Sequence, residues 1–235
     1  MADILAVLYG GTLKVSPKTV NNPDRDRFLL SKGHCCASLY AALAINGFLD
    51  KDDLCENYGK NGSEYFTHVS HKLNGVEISS GSLGHGLPVA CGIALNGQIK
   101  NLGYNTYVLT GDGELDEGSC WESILFAAQH KLSNLCLIVD YNKIQSLGCV
   151  EEICDLNPLA EKFIAFRWQT LEIDGHDVEQ IEKAFQNFAE EKEKPTVVIA
   201  HTIKGKGVSF MENQLLWHYR NPNDEQLALA LRELL

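Results

Sequence analysis

Residues 105–148 read NTYVLTGDGELDEGSCWESILFAAQHKLSNLCLIVDYNKIQSLG, and this stretch decides the fold. The β-forming run at 105–110 predicts a strand that ends at Gly111, and the apolar spacing at 117–132 predicts a helix. The run NLCLIVD at 134–140 is typical of a buried strand. Two strands joined by one helix predict a parallel crossover, which returns the chain to the same end of a sheet.

The same alternation continues on both sides of this unit. Further strands are predicted at 27–30, 169–173 and 195–200, and further helices at 2–9, 31–46, 87–100 and 178–190. Ser31 is expected to cap the second of these helices. We therefore predict a single α/β domain over residues 1–235, with a parallel β-sheet covered by helices on both faces.

Two helices carry clear apolar faces. The faces expected to be buried are Trp121, Ile124, Leu125 and Ala128 in one helix, and Ile181, Ala184, Phe185 and Phe188 in the other. Residues 59–86 are instead rich in glycine, serine and histidine and predict a long irregular segment. Segments of this length in a compact domain are usually functional.

Composition excludes several classes of protein. The net charge of −11 over 235 residues argues against a nucleic acid or an anionic membrane as partner. No apolar run reaches the ~20 residues of a membrane helix. The eight cysteines form no C-x-x-C pair and are expected to be buried thiols in a reducing compartment. The opening MADILAVLYGG has no basic segment or cleavage site of a signal peptide, so we expect a cytoplasmic protein.

Asp112 and Asn142 are the main candidates for a metal site. Each follows a predicted strand, and one helix separates the two strands, so both are expected at the carboxyl edge of the sheet, where open α/β sheets bind ligands. A carboxylate and a carboxamide are hard oxygen ligands that suit Mg²⁺, which completes its shell with phosphate oxygens and water. Gly113 would let the backbone approach a phosphate, and the helix starting near Glu117 would direct its positive end there.

A lone GDG turn would be weak evidence, since it is roughly nine times in ten a simple strand-to-helix turn. The asparagine thirty residues after Asp112, at the end of the next strand, reverses that balance. Neither the dinucleotide-binding spacing G-x-G-x-x-G nor the P-loop spacing G-x-x-x-x-G-K-[ST] occurs at Gly111.

The GDG motif followed by this asparagine resembles the thiamine-diphosphate enzymes, and the wider wording resembles transketolase. The blocks that carry the resemblance are SKGH (31–34), GVEISSGSLGHG (75–86), GDGELDEG (111–118), DYNKI (140–144) and KGKGV (204–208). They occur in order over most of the chain. The form is most similar to the N-terminal subunit of split bacterial and archaeal transketolases.

The resemblance implies a ligand set for the cofactor and its metal. Asp112, Asn142 and the main-chain carbonyl of Ile144 would hold Mg²⁺, and the N–H of Gly113 would face the diphosphate. A strip beneath the aminopyrimidine ring would be formed by Gly81, Ser82 and Leu83.

Histidines complete the implied site. His34, His68 and His218 resemble the family's histidines near the diphosphate, the reacting carbon and the substrate hydroxyls, where imidazoles can transfer protons near neutral pH. His85 could donate to the ligand, and Glu117 resembles an acidic residue at the dimer contact that communicates with the cofactor. His71 remains an alternative to His68. The distance from Gly75 slightly favours His68.

The family also implies a partner. Its members use a glutamate from a second domain of similar fold to protonate the aminopyrimidine ring. We therefore expect a C-terminal transketolase subunit that supplies the pyrimidine-binding domain and this glutamate, and pairing of two such two-chain units. The sequence also starts after the helix and the G-H-x-G-like segment that family members normally carry.

The expected reaction is transfer of a two-carbon ketol unit from a ketose or ketose phosphate donor to an aldose or aldose phosphate acceptor. Two alternatives stay open at this stage. One is another thiamine-diphosphate enzyme, similar to deoxyxylulose-phosphate synthase or decarboxylating a 2-oxo acid. The other is a non-catalytic subunit that keeps the fold as a scaffold.

Overall fold

A parallel sheet of five strands forms the centre of the computed structural model, which describes residues 1–235. The strands of the chain are β1 (Arg27–Leu30), β2 (Thr106–Gly111), β3 (Leu135–Tyr141), β4 (Ile144–Gln145), β5 (Gly148–Cys149), β6 (Gln169–Asp174) and β7 (Thr196–His201). The order in the sheet is β1-β2-β3-β7-β6, and every pairing in it is parallel. The short strands β4 and β5 form a separate antiparallel hairpin after β3.

Helices connect and cover the strands. They are α1 (Ala2–Val7), α2 (Cys36–Ile45), α3 (Lys51–Asn57), α4 (Gly86–Ile99), α5 (Gly118–Gln129), α6 (Val150–Ile153), α7 (Leu159–Ala165), α8 (Val178–Glu190) and α9 (Asp224–Leu234). The five strands of the main sheet and helices α1, α2, α4, α5 and α8 match the sequence prediction closely. The short α3, α6 and α7, the terminal α9 and the β4–β5 hairpin were not predicted.

Alternating side chains of the strands build two cores, one on each face of the sheet. Tyr107 belongs to a core with α1, α2 and α8, whereas its neighbour Val108 belongs to the core with α4, α5 and α7. The ring of Tyr107 packs edge-on against Phe188 of α8 at 5.2 Å between centroids. Successive side chains of a strand point to opposite faces, so each strand contributes to both cores. Both faces of the sheet are therefore covered by helices, as predicted.

The register of the central strands aligns their carboxyl ends. Gly111 of β2 pairs with Asp140 of β3, and Asp140 pairs with Ala200 of β7. The residues that follow these strands therefore emerge at one rim of the sheet. This rim carries the predicted site.

The predicted buried face is correct for helix α8 and partly wrong for helix α5. The buried face of α8 is as predicted, with Ile181, Ala184, Phe185 and Phe188 all inside. In α5 the prediction was wrong for Leu125, which is 60% exposed. The buried positions there are Cys120, Ser123, Ile124 and Ala127. Because Ser123 is polar, an apolar pattern does not include it in the buried face. Its burial is possible because its hydroxyl donates to the carbonyl of Ser119 one turn earlier.

Ser31 does not cap the helix that follows it, which corrects another prediction. A 3₁₀ turn at Gly33–Cys35 precedes α2, and no side chain caps either segment. The hydroxyl of Ser31 instead accepts the backbone N–H of Gly86, at the first residue of α4, at 3.0 Å. Ser31 thus serves a helix start that is distant in sequence.

The cysteine prediction holds only in part. All eight thiols are free, and Cys36, Cys91, Cys120 and Cys136 are buried. Cys55, Cys149 and Cys154 are exposed, contrary to expectation, because they lie in α3 and around α6, which pack little apolar surface. None of the helices is long and apolar enough to cross a membrane.

The segment between α3 and α4 contains neither helix nor strand, as predicted. Hydrogen bonds to the domain hold it in place. The hydroxyl of Tyr40 donates to the carbonyl of His68 at 3.0 Å, and that of Ser80 donates to the carbonyl of Leu30 at 2.7 Å. The irregular segment is therefore attached to the end of β1 next to the rim.

The assigned face of α8 can be tested by stability. Ile181→Ala should lower the free energy of unfolding by about 2–5 kcal/mol, because it removes buried carbon and leaves a cavity. Ile45→Ala, at an 81% exposed position at the end of α2, is the matched control and should stay within about 0.5 kcal/mol. Denaturant unfolding measures both, and equal losses would contradict the assigned face.

Candidate functional site

A cavity of about 330 Å³ opens at the carboxyl rim of the sheet. Loops that follow β1, β2, β3 and β7, together with part of the irregular segment, form its walls. Its lining residues are Lys32, His34, Cys35, Gly81, Leu83, Gly111, Asp112, Gly113, Glu114, Asn142, Ile144, Gln145, Ser146, Lys204, Trp217 and His218. Residues from all five motif blocks thus meet at one place in the fold.

Asp112 lies at the base of this cavity, directly after β2, and is 3% exposed. One carboxylate oxygen accepts the N–H of Gly113 at 2.8 Å, and the other accepts the N–H of Lys143 at 2.6 Å. Burial raises the pKa of Asp112 in spite of these two bonds. The carboxylate is therefore ordered by backbone donors, and a cation beside it would stabilise its charge.

Asn142 reaches the same cavity from the end of β3. Its side-chain oxygen accepts the N–H of Ile144 at 3.1 Å, which closes a tight turn into the β4–β5 hairpin. The contact between Asp112 and the backbone of Lys143, the next residue after Asn142, joins the two strand ends. The structure thus brings Asp112, Asn142 and Ile144 to one wall. The structure contains no group of three or more His, Cys, Asp or Glu residues suited to a metal, so this wall combines one carboxylate with an amide oxygen and a main-chain carbonyl.

Gly113 has a packing role that the sequence did not reveal. A Cβ at this position would lie 2.7 Å from the Cβ of Gln145 in β4, so the hairpin can approach only a glycine. The predicted helix start also needs correction. Residues Gly113–Asp116 form a 3₁₀ turn, and α5 begins only at Gly118, outside the residues that line the cavity.

A buried ion pair supports the floor of the cavity. The ammonium of Lys32 donates to Asp140 at 2.7 Å, and the hydroxyl of Thr202 donates to the other oxygen of Asp140 at 2.6 Å. Burial alone would lower the pKa of Lys32 and raise that of Asp140. The ion pair outweighs burial, so the pKa of Lys32 lies above its usual value and that of Asp140 lies well below.

His34 and His218 both line the cavity, and their rings are neighbours with centroids 5.4 Å apart. Burial, followed by the charge of Lys32, lowers the pKa of His34 to about 4. Burial and the ammonium of Lys204, 3.2 Å from its Nδ1 atom, lower the pKa of His218. Both imidazoles are therefore neutral near pH 7. His34 can donate one hydrogen bond and accept another, whereas Nδ1 of His218 already accepts from Lys204, which leaves its Nε2–H as a donor.

The other predicted residues lie at the margin or outside. His68 is exposed, but its ring would lie 3.5 Å from a Cβ at Gly81, and it also disfavours protonation of His34. His71 is exposed as well and bonds to Ser79 at 2.7 Å. The structure therefore places His68, rather than His71, beside the cavity.

Three predicted residues are exposed and are not among those that line the cavity: Ser82, His85 and Glu117. The Nδ1 atom of His85 bonds to the carbonyl of Leu83 at 3.1 Å, within the same loop. Glu117 is the N-terminal cap residue of α5 and packs beneath Gly84. In this chain the three side chains therefore face solvent.

Several residues of the site were missed at the sequence level. Lys32, Glu114 and Lys204 lie inside the motif blocks, and their charge was the only available signal. Glu114 is 2% exposed, and its carboxylate accepts from the Ser31 hydroxyl and, at 2.9 Å, from the N–H of Gly84. Thr202 carried no signal, because a threonine after a strand has no pattern of its own.

Comparisons with known proteins agree with this geometry. The family model described as transketolase, thiamine diphosphate binding domain, matches residues 1–233. A subunit of the apulose-4-phosphate transketolase of Actinobacillus succinogenes is 42% identical over 233 residues, covering 99% of this chain and 84% of that protein. A 6-deoxy-6-sulfo-D-fructose transketolase subunit of a Clostridium species is 38% identical over 235 residues, covering 100% and 85%.

A solved structure shows the same fold. The transketolase of Campylobacter jejuni superposes with a TM-score of 0.92 at 34% identity and covers 98% of this chain, which corresponds to 37% of that protein. The α/β fold predicted from the sequence is confirmed. With its fold, motif order and relatives in agreement, the chain belongs to the transketolase family of thiamine-diphosphate-dependent transferases, as the domain that binds thiamine diphosphate.

Proposed function

We propose that this chain binds the diphosphate end of thiamine diphosphate, together with Mg²⁺, in the rim cavity of a transketolase that transfers a two-carbon ketol unit. The observation that carries the proposal is the convergence of Asp112, Asn142 and Ile144 on one wall, in a cavity that also contains Lys204. A divalent cation and an anionic ligand would both find complementary groups there.

The metal would be held by a carboxylate oxygen of Asp112, the amide oxygen of Asn142 and the carbonyl of Ile144. These are three hard oxygen donors, as Mg²⁺ prefers, and they leave positions for phosphate oxygens and water. The buried carboxylate supports the fit, since its oxygens contact backbone N–H groups rather than a side-chain cation. Mg²⁺ would offset the cost of burying this charge.

The diphosphate would be attracted by the cationic wall. The ammonium of Lys204 contacts His218 rather than a carboxylate, and burial followed by the charge of Lys32 lowers the pKa of Lys204. A bound anion would reduce the electrostatic repulsion between the ammonium groups of Lys204 and Lys32. The N–H of Gly113 lines the same cavity and is available as a further donor if Asp112 turns towards the metal.

The remaining contacts are proposed from the positions of the side chains. Gly81, Ser82 and Leu83 would support the cofactor ring, and His85 would contribute from the edge of that loop. Glu117, exposed at the start of α5, would lie at a contact between subunits.

Histidines would transfer protons to and from the sugar substrates. Bound thiamine diphosphate would supply the stabilisation of the ketol carbanion, which no protein side chain provides. His34 and His218, both neutral near pH 7, would exchange hydrogen bonds and protons with substrate hydroxyls, with His68 at the entrance. The substrates would be a ketose or ketose phosphate as donor and an aldose or aldose phosphate as acceptor.

The complete active site would require a second chain. Two relatives that match this chain over most of their length are named as transketolase subunits. We propose that residues 1–235 form one domain that pairs with a C-terminal transketolase subunit, which would supply the pyrimidine-binding domain and the catalytic glutamate. Two such units would associate into a heterotetramer in the cytoplasm.

The metal assignment has a direct test. Asp112→Ala should abolish Mg²⁺-dependent binding of thiamine diphosphate by the chain assembled with its C-terminal subunit, because the cation loses its only charged ligand. Asp155→Ala, at an exposed position outside the cavity, is the matched control. Isothermal titration with and without Mg²⁺ measures both variants, and undiminished binding by Asp112→Ala would refute the assignment.

The pKa of His218 reports on the charge of the neighbouring Lys204 ammonium. Lys204→Met should raise the pKa of His218, because its protonated ring would no longer face a neighbouring ammonium. The same variant should weaken pyrophosphate binding roughly tenfold through loss of a charge-assisted hydrogen bond. NMR titration of the histidine signals measures the pKa. Lys206→Met, half-exposed beside Glu212, should leave the pKa of His218 unchanged. An unchanged value in Lys204→Met would contradict the contact.

The requirement for a second chain is tested by reconstitution. The purified chain should show no ketol transfer from a ketose phosphate to an aldose phosphate, and turnover should appear when the C-terminal subunit is added. The control is the Asp112→Ala chain with the same partner, which should remain inactive. Turnover by this chain alone would refute the two-chain site.

A further inference from the structure

The buried carboxylate of Glu114, a residue that lines the cavity, joins the loop after β1 and the irregular segment to the end of β2. One oxygen accepts from the hydroxyl of Ser31 and from the N–H of Gly84, the latter at 2.9 Å. The second oxygen lies 3.4 Å from the N of Gly111, which donates to it. These donors belong to the loop after β1, to the irregular segment and to the end of β2. Glu114 is therefore the point where the three segments meet.

The Gly84 peptide is held from both sides. Glu114 accepts its N–H, and the hydroxyl of Ser119 donates to its carbonyl at 2.8 Å. Gly84 has a φ of +80°, and a Cβ there would lie 2.5 Å from the Ser119 hydroxyl, so only glycine fits between the two partners. Two residues further on, the N–H of Gly86 donates to Ser31 at 3.0 Å. The turn that follows Gly81 and Leu83 is thus anchored to the body of the domain.

Glu114 and Asp112 belong to the same short turn. Asp112 precedes the 3₁₀ turn Gly113–Asp116 and directs its carboxylate towards the cavity wall, whereas Glu114, within the turn, directs its carboxylate to the Gly84 loop. A displacement of one loop would therefore be transmitted to the other through two residues of backbone. Both carboxylates are buried and hydrogen-bonded.

We propose that Glu114 is a positioning residue that sets the separation between the Asp112 wall and the loop at residues 81–84, and thereby aligns the two ends of the cofactor. This inference rests on the proposed function, in which the diphosphate lies at Asp112 and the ring lies against residues 81–83. Glu114 lines the cavity, but its carboxylate oxygens already accept from Ser31, Gly84 and Gly111, so we assign it no direct contact with the cofactor. Its role is to hold the ring support at the correct distance from the diphosphate site.

The test compares a ligand that spans both ends with one that needs only the Asp112 end. Isothermal titration of the chain assembled with its C-terminal subunit, in the presence of Mg²⁺, would measure affinities for thiamine diphosphate and for pyrophosphate. Glu114→Ala should weaken thiamine diphosphate roughly tenfold or more, because the hydrogen bonds that fix the loop are lost, and should leave pyrophosphate within about twofold. Glu114→Gln keeps an acceptor oxygen for Gly84 and should restore most of the affinity.

A second variant reaches the same loop from the opposite side. Ser119→Ala releases the carbonyl of Gly84 and should also weaken thiamine diphosphate selectively, so the test stands even if Glu114→Ala does not fold. Ser123→Ala, one turn further along α5, is the matched control, since its hydroxyl bonds only to the carbonyl of Ser119. Both of its affinities should be unchanged.

The outcomes separate the inference from its premise. A selective loss for thiamine diphosphate supports the positioning role. Equal losses for both ligands, or no loss for either, would overturn it. If the unmodified chain, assembled with its C-terminal subunit, bound neither ligand in the presence of Mg²⁺, the proposed function itself would be refuted, and the inference with it.

Discussion

The in-register parallel pairing of β2, β3 and β7 is the constraint on which the cavity depends. It places the residues after Gly111, Tyr141 and His201 at one level of the rim. The register cannot slip by one residue, because Tyr107 and Val108 would then exchange faces and leave their separate cores. Packing far from the cavity therefore determines which side chains meet inside it.

Buried polar groups convert this alignment into a shaped site. Asp140 and Glu114 lie below the rim, where an unpartnered carboxylate would be costly. Each is paired instead, Asp140 with Lys32 and Thr202, and Glu114 with the Ser31 hydroxyl and backbone donors. Because these bonds connect different loops, the requirement to satisfy buried charge also determines how the loops stand around the cavity.

Much of the fold was predictable, because strands and helices of a doubly covered parallel sheet have strong local patterns. The strand at Arg27–Leu30 and the helix at Val178–Glu190 were predicted at their observed limits. The predictions were wrong where a residue contacts a partner that is distant in the sequence, or where a polar residue is buried. Ser31 has the chemistry of a cap for the adjacent helix, yet it contacts Gly86, and the buried face of α5 includes the polar Ser123.

The sequence by itself determined the class of fold and the neighbourhood of Asp112 and Asn142, because the spacing of strand ends in a parallel crossover follows from chain geometry alone. The family followed from the resemblance of its motif blocks. Only the tertiary structure decided the partners of Glu114 and Lys32, the neutral state of His34 and the position of His68 beside Gly81. These depend on burial and on contacts between residues distant in the chain, for which a linear pattern carries no signal.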